Sequence, residues 1–288
     1  VAATSRRTEI MRARETLSPL RIVMMTLIAA LFMLWLVIPF MLTVLWSLVD
    51  KTHPWAWPDA LPPVLSLGRW VEVWTTTALP QALRNSYLLA AAVSVCTLML
   101  SLPAAWAFGR MSFTGKHLLQ NAILLPLIVP GFVVALFFSM LLNVVGIHSR
   151  FGGILLGHMI ILMPYAVRIL TLSFSQIRQD TLDAARDMGA SALNRFLVAC
   201  LPTLRPGIFA ALIIVFTLSI EEFAISFIVG SPDFITVPAI LYSYLGYNFI
   251  RPNAAVISLM LVVPNVILML IAEKLLTKNP VASFAGKG

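Results

Sequence analysis

Long apolar runs separated by short polar stretches set the pattern of this chain. Residues 22–49 carry no charged side chain, and uncharged runs recur at 85–109, 118–147, 151–167 and 253–272. A sixth run, 207–230, is apolar except for Glu221 and Glu222. A bilayer core needs about 20 helical residues to span it, so the pattern predicts an all-α integral membrane protein with six transmembrane helices. Proline falls inside several runs, at Pro39, Pro103, Pro126, Pro130, Pro164 and Pro264. Membrane helices tolerate such breaks where neighbours satisfy the freed carbonyls. The third run, with Pro126, Pro130 and Gly131, is expected to bend. The first run far exceeds a signal core of about 7–15 residues, so it is read as a span that stays.

Composition agrees with lipid as the solvent. Of 288 residues, 60% are hydrophobic and 11% charged, where soluble domains carry about 25% charged residues. Mean hydropathy is +0.93. The net charge of +8 could suggest nucleic acid, but the charges flank apolar runs instead of interleaving with aromatics, so no nucleic-acid partner is expected and the surroundings are membrane lipid. Cys96 and Cys200 support neither a disulfide framework nor metal spacing and read as packing residues. Lys and Arg orient the spans. One side holds Arg6, Arg7, Arg12, Arg14, Arg21, Arg110, Lys116, Arg168, Arg178, Arg186, Arg195, Arg205, Lys274, Lys278 and Lys287. The other holds Lys51, Arg69, Arg84, Arg150 and Arg251. The bias puts both termini in the cytoplasm. The chain then divides into a tail at 1–21, a membrane domain at 22–275 and a second tail at 276–288. The outer segment 50–80 carries Trp55, Trp57, Trp70 and Trp74, which suit a membrane interface, with a surface-lying helix near 67–74. No Gly-x-x-x-x-Gly-Lys-Ser/Thr phosphate loop is present, so any ATP is used by another chain.

The polar stretch 183–206 has a grammar of its own. Asp180, with Asp183 three residues on, can cap a first short helix. Gly189 suits a left-handed helix end, and Ser191 can cap a second helix with Leu193, Phe196, Leu197, Cys200 and Leu201 at helical spacing. Pro202 is expected to stop that helix, and Pro206 suits the first turn of the next. Ala184 and Ala185 lack bulk, so another protein could approach the first helix closely.

Asp183-Ala184-Ala185, Gly189, and Leu201-Pro202 stand at the spacing of Glu-Ala-Ala, three residues, Gly, nine residues, Ile-x-Leu-Pro. This resembles the EAA loop of type I ATP-binding-cassette (ABC) importer permeases, here at 173–206. Asp183 replaces Glu, which keeps the charge and shortens its reach, and Ala199 stands at the Ile position. The stretches Phe216-Thr-Leu-Ser-Ile-Glu-Glu222 and Gly230-Ser-Pro232, and the Leu241-Tyr242-Ser243 region, resemble the second permease subunit of spermidine/putrescine importers. The resemblance implies the MetI-like fold and the bacterial inner membrane. It also implies a heterodimer with a second homologous permease, two cytoplasmic ATP-binding subunits that carry ATP and Mg, and an extracytoplasmic substrate-binding protein. This chain would bind no cofactor and catalyse no reaction. Asp183, Ala184, Ala185, Gly189, Leu201 and Pro202 would couple it to the ATPase by alternating access. Polyamine is the implied cargo. Another small polar solute (an amino-acid derivative, opine or aminophosphonate) is the alternative, and an ion-coupled secondary transporter or intramembrane enzyme a more distant one.

Glu221 and Glu222 are placed near the middle of the fifth span. An ionisable group there should face protein or water and have a purpose. Adjacent residues diverge by about 100°, so both can border one cation-attracting path, with Thr217 and Ser219 adding hydroxyls. Alternatively, one Glu is neutral, or pairs with Arg168 or with a partner subunit. Asn85 and Ser86, Asn143, and Asn265 could line the path or bond between helices. Tyr165 could offer a cation–π contact, as could Tyr242, Tyr244 and Tyr247, for which interfacial anchoring is the favoured role. His158, alone in an apolar span, reads as a hydrogen-bonded packing residue.

Overall fold

The computed structural model describes residues 19–247 and 250–277. The tails at 1–18 and 278–288 lie outside these residues, so the sequence expectations for them have no structural counterpart. The described chain divides between Arg69 and Trp70 into two units.

The first unit holds helix α1 (Pro19–Ser47), whose apolar window has no buried residue. A helix apolar on every face suits lipid contact. The loop beyond it folds back through one isolated bridge between Val49 and Leu65, with Ser66 N–H donating to Leu48 at 2.7 Å. Asp50 starts a local turn by accepting bonds from Thr52 Oγ1 at 2.6 Å and Thr52 N–H at 2.8 Å. Those bonds hold its carboxyl well below the usual carboxylate range. Helix α2 (Gly68–Thr76), most of which belongs to the second unit, follows where an interfacial helix is expected.

The second unit is built on α3 (Leu79–Arg110), α7 (Arg150–Ser175) and α10 (Leu201–Glu221), which pack on one another. In a bilayer, helices gain little from hydrophobicity and need close approach. The buried side of α3 supplies it with Ser86, Ala90, Ser94, Thr97, Ser101 and Ala105, small residues at helical spacing. At Gly109 a Cβ would sit 2.7 Å from Phe174 Cβ and 2.9 Å from the Thr171 carbonyl, so only glycine lets α3 and α7 meet there.

The third apolar run folds in pieces, as expected: α4 (Lys116–Ala122), α5 (Leu125–Ile128) and α6 (Gly131–Val145). The chain bends by 100° between Ile128 and Gly131, where Pro130 caps α6 without donating a backbone bond. Among the described residues five helices are long and apolar enough to cross a membrane, and the bent pair makes a sixth if it is one span. The remaining elements are α8 (Gln179–Asp187), α9 (Ala192–Arg195), α11 (Val237–Tyr242) and α12 (Arg251–Thr277). The architecture is the all-helical one the apolar pattern predicts.

Candidate functional site

The fifth span is interrupted at its acidic pair. Helix α10 ends at Glu221, and Glu222 is extended at φ −66°, ψ 124°. The chain resumes as a wide π-helical turn, Ser226–Gly230. The sequence expectation of two carboxylates near the middle of one helix is corrected by this break. Its cause is chemical: the Glu222 side chain turns forward and caps the next segment. Oε1 accepts from Ile225 N–H at 2.8 Å and Oε2 from Ser226 N–H at 3.0 Å, satisfying donors that a new helix leaves open.

The same Oε2 lies 3.0 Å from Nε2 of His158, whose ring is fully buried in α7. That nitrogen is also 3.0 Å from Ser226 Oγ, and Nδ1 is 2.9 Å from Ser219 Oγ. His158 is hydrogen-bonded, as read from sequence, and besides the two serines its partner is the intramembrane carboxylate. Arg168, the candidate partner within this chain, is exposed and lines a cavity with Phe108, Asn121 and Ser175. Next to His158, Gly157 makes room for Ile225, since a Cβ there would stand 2.7 Å from that side chain.

The remaining candidates separate. Glu221 is exposed and has no hydrogen-bond or ion-pair partner among the described residues. Ser219 is buried in this clamp of His158 on Glu222, and Thr217 is half-buried. Asn85 Nδ2 donates to the Ile235 carbonyl at 3.0 Å, and Ser86 Oγ accepts from Val237 N–H at 3.0 Å. Both therefore pin the segment beyond the break to α3. Tyr165 is 38% exposed on α7. The two interrupted spans meet at their interruptions: a Cβ at Gly131 would lie 3.6 Å from Ala224 Cβ, and the rings of Phe132 and Phe223 are 5.6 Å apart edge to face.

The polar hairpin forms a second candidate site. Its first helix is α8, with Arg178 at the N-cap position and no side-chain cap bond; Asp180 sits inside the first turn and pairs with Arg178 at 3.0 Å, so the expected Asp180 cap is not formed. Asp183 accepts from Gln179 Nε2 at 3.0 Å, and Gln179 in turn meets Arg110 from the end of α3. Arg110 also donates to the Ile177 carbonyl at 2.8 Å, tying that span to the hairpin. Gly189 is left-handed at φ +75°, and Ser191 accepts from Asn194 N–H at 3.3 Å, both as expected.

Pro202 does not stop the second helix. A π-helical turn, Phe196–Cys200, joins α9 to α10 without interruption. Leu201 N–H bonds back five residues to Phe196, and Pro202, in the first turn of α10, has no amide that the wider turn must satisfy. Asp183, Ala184, Gly189 and Pro202 are exposed, Leu201 is half-buried, and Ala185 is buried within the chain itself. Met188 at 80%, Leu193 at 66% and Val198 at 74% exposure add an apolar surface that spacing alone had not singled out. Between the hairpin and the end of α3 lies a cavity of about 350 Å³, lined by Trp106, Arg110, Asp183, Arg186 and Arg195 among others.

Residues 98–278 match the family described as binding-protein-dependent transport system inner membrane component, and the chain belongs to that family. Over 207 residues it is 29% identical to the molybdenum transport system permease protein ModB of Haemophilus influenzae, covering 64% of this chain and 90% of that protein. Over 203 residues it is 27% identical to the spermidine/putrescine transport system permease protein PotC of Escherichia coli, covering 70% and 76%. Its fold matches a chain of a bacterial ABC transporter involved in alginate import, with a TM-score of 0.75 at 15% identity, over 90% of this chain and 98% of that one. The protein is thus a type I ABC importer permease, a multi-pass transport component of the inner membrane.

The clamp makes a stability prediction. His158→Leu leaves the Glu222 carboxylate buried without its ring partner, which should cost about 3–5 kcal/mol and lower the melting temperature of the detergent-solubilised protein. Replacing both residues by leucine should cost less than His158→Leu alone. Equal melting of His158→Leu and the parent protein would contradict the clamp.

Proposed function

We propose that this chain is one half of a heterodimeric permease for polyamines such as spermidine and putrescine. The observation that carries the cargo is electrostatic. Glu221 stands exposed at the break of the fifth span, and no Lys or Arg occurs between Arg205 and Arg251. A carboxylate in a poorly hydrated path attracts an ammonium ion and repels an oxyanion. The likeness to PotC, and the stretch Phe216–Glu222 that resembles its family, support the same cargo. Thr217 and Tyr165 are the polar groups assigned to the path beside Glu221.

In this reading residues 1–21 and 276–288 are cytoplasmic tails, 22–275 form the six-span domain, and the hairpin at 173–206 faces the cytoplasm. Two ATP-binding subunits, which hold ATP and Mg, dock on the hairpins of the two permeases. A substrate-binding protein delivers cargo from outside. Asp183, Ala184 and Gly189 form the docking surface, with Met188 and Leu193 beside them, while Ala185 packs the first hairpin helix onto its own chain. The Arg110 bonds to Ile177 and Gln179 give the hairpin a direct connection to a span, so closure of the ATPases can be passed to the helices.

The cargo is tested by ATP hydrolysis of the assembled transporter in nanodiscs with its binding protein. Spermidine or putrescine should stimulate hydrolysis, and molybdate and sulfate should not; stimulation by an oxyanion alone would overturn the polyamine reading. Docking is tested with Gly189→Val, which forces a β-branched residue into a left-handed backbone, and with Ala184→Asp. Each should lower ATPase co-purification about tenfold, equivalent to about 1.4 kcal/mol, while membrane insertion is preserved. Unchanged co-purification in both would reject the hairpin as the docking surface.

A further inference from the structure

Irregular backbone within a bilayer persists only where protein or a water-filled cavity covers it, and in secondary transporters such breaks mark the substrate site. Here two breaks coincide, and what gathers around them is aromatic. Phe223 follows Glu221 by two residues, so their Cα atoms lie within about 7 Å. Its ring centroid is 5.6 Å from that of Phe132, 4.9 Å from Tyr242 and 5.1 Å from Phe227. Phe227 and Tyr242 are themselves 5.5 Å apart. Four rings from α6, the break, the π-helical turn and α11 thus form one cluster. It is not sealed: Phe132 is 49% and Tyr242 41% exposed, and Phe223 and Phe227 are half-buried.

The chemistry of this cluster is one-sided. Aromatic faces are negative, Glu221 is a carboxylate without a partner among the described residues, and the stretch from 206 to 250 contains no Lys or Arg. Glu222 takes no part, because its oxygens are held by Ile225, Ser226 and His158. A strongly hydrated metal ion gains little from ring faces. An alkylammonium group gains twice, since its charge meets ring faces and carboxylate while its methylenes lie against apolar carbon.

We infer that Glu221 with the rings of Phe223, Tyr242 and Phe132 forms a subsite for an alkylammonium group on the translocation path, Phe227 supporting Phe223 from behind. The inference rests on the polyamine reading and adds to it the residues that hold the cargo in the membrane.

The test is uptake of labelled spermidine into proteoliposomes by the complete transporter, with the binding protein saturated so that its affinity does not enter. Phe223→Leu, Tyr242→Leu and Glu221→Gln should each reduce the uptake rate about tenfold, a loss between those of an exposed and a fully desolvated cation contact. Tyr242→Phe, which keeps the ring, should lose less than Tyr242→Leu. Because leucine could also loosen packing, Phe223 is in addition replaced by phenylalanines of increasing fluorination, which keep the shape and weaken the negative face. Uptake should then fall stepwise with fluorine number. If the parent transporter takes up spermidine and both the fluorine series and the leucine variants match it, the subsite is overturned while the polyamine reading stands. If the parent transporter ignores polyamines and carries only an anion, both fall together.

Discussion

A carboxylate moved from water into a membrane domain costs several kcal/mol unless donors replace the lost hydration. Glu222 receives them from the Ile225 and Ser226 amides and lies 3.0 Å from the buried ring of His158. The interruption of the fifth span, the direction of the following segment and the exposure of Glu221 all depend on this one satisfied group. With the carboxylate turned forward to cap the next turn, α10 has to end. The break divides two neighbouring residues of the same type into a structural one and an exposed one.

The clamp forms only because the helices around it come close. Gly157 leaves space for Ile225, and Gly207 for the Ser173 side chain, whose Oγ would otherwise lie 1.9 Å from a Cβ. Along α3 the small buried residues from Ser86 to Ala105 do the same for the elements packed against it. Dispersion and polar contacts at short range therefore do in this domain what hydrophobic burial does in water. The hairpin obeys different rules. Its shape comes from local devices suited to a wet interface: a left-handed glycine, a serine cap, and an arginine that joins it to the end of α3.

Much of this was legible in the sequence because the signals were local. Charge-free runs give the spans, Pro130 and Gly131 mark the bend, and Gly189 and Ser191 lie where their backbone roles require them. Pairing across the fold was not legible. His158 and Glu222 are far apart in the chain, and nothing in the spacing of either points to the other. Reading both acidic residues on one continuous helix failed because a glutamate can cap the turn that follows it, which competes with helix continuation. The continuation through Pro202 was missed for a related reason: a π-helical turn makes room for a residue without an amide, and no residue type announces such a turn. Asn85 and Ser86 were equally plausible as path or brace, and only their bonds to Ile235 and Val237 distinguish the two.

The division of the acidic pair is tested most directly by accessibility. In a chain whose Cys96 and Cys200 have been replaced, Glu221→Cys and Glu222→Cys would each be exposed, in the assembled transporter, to a small water-soluble, positively charged thiol reagent. Modification should be rapid at 221, slowed by bound substrate, and slight or absent at 222. Equal, substrate-insensitive modification at both positions would contradict that division.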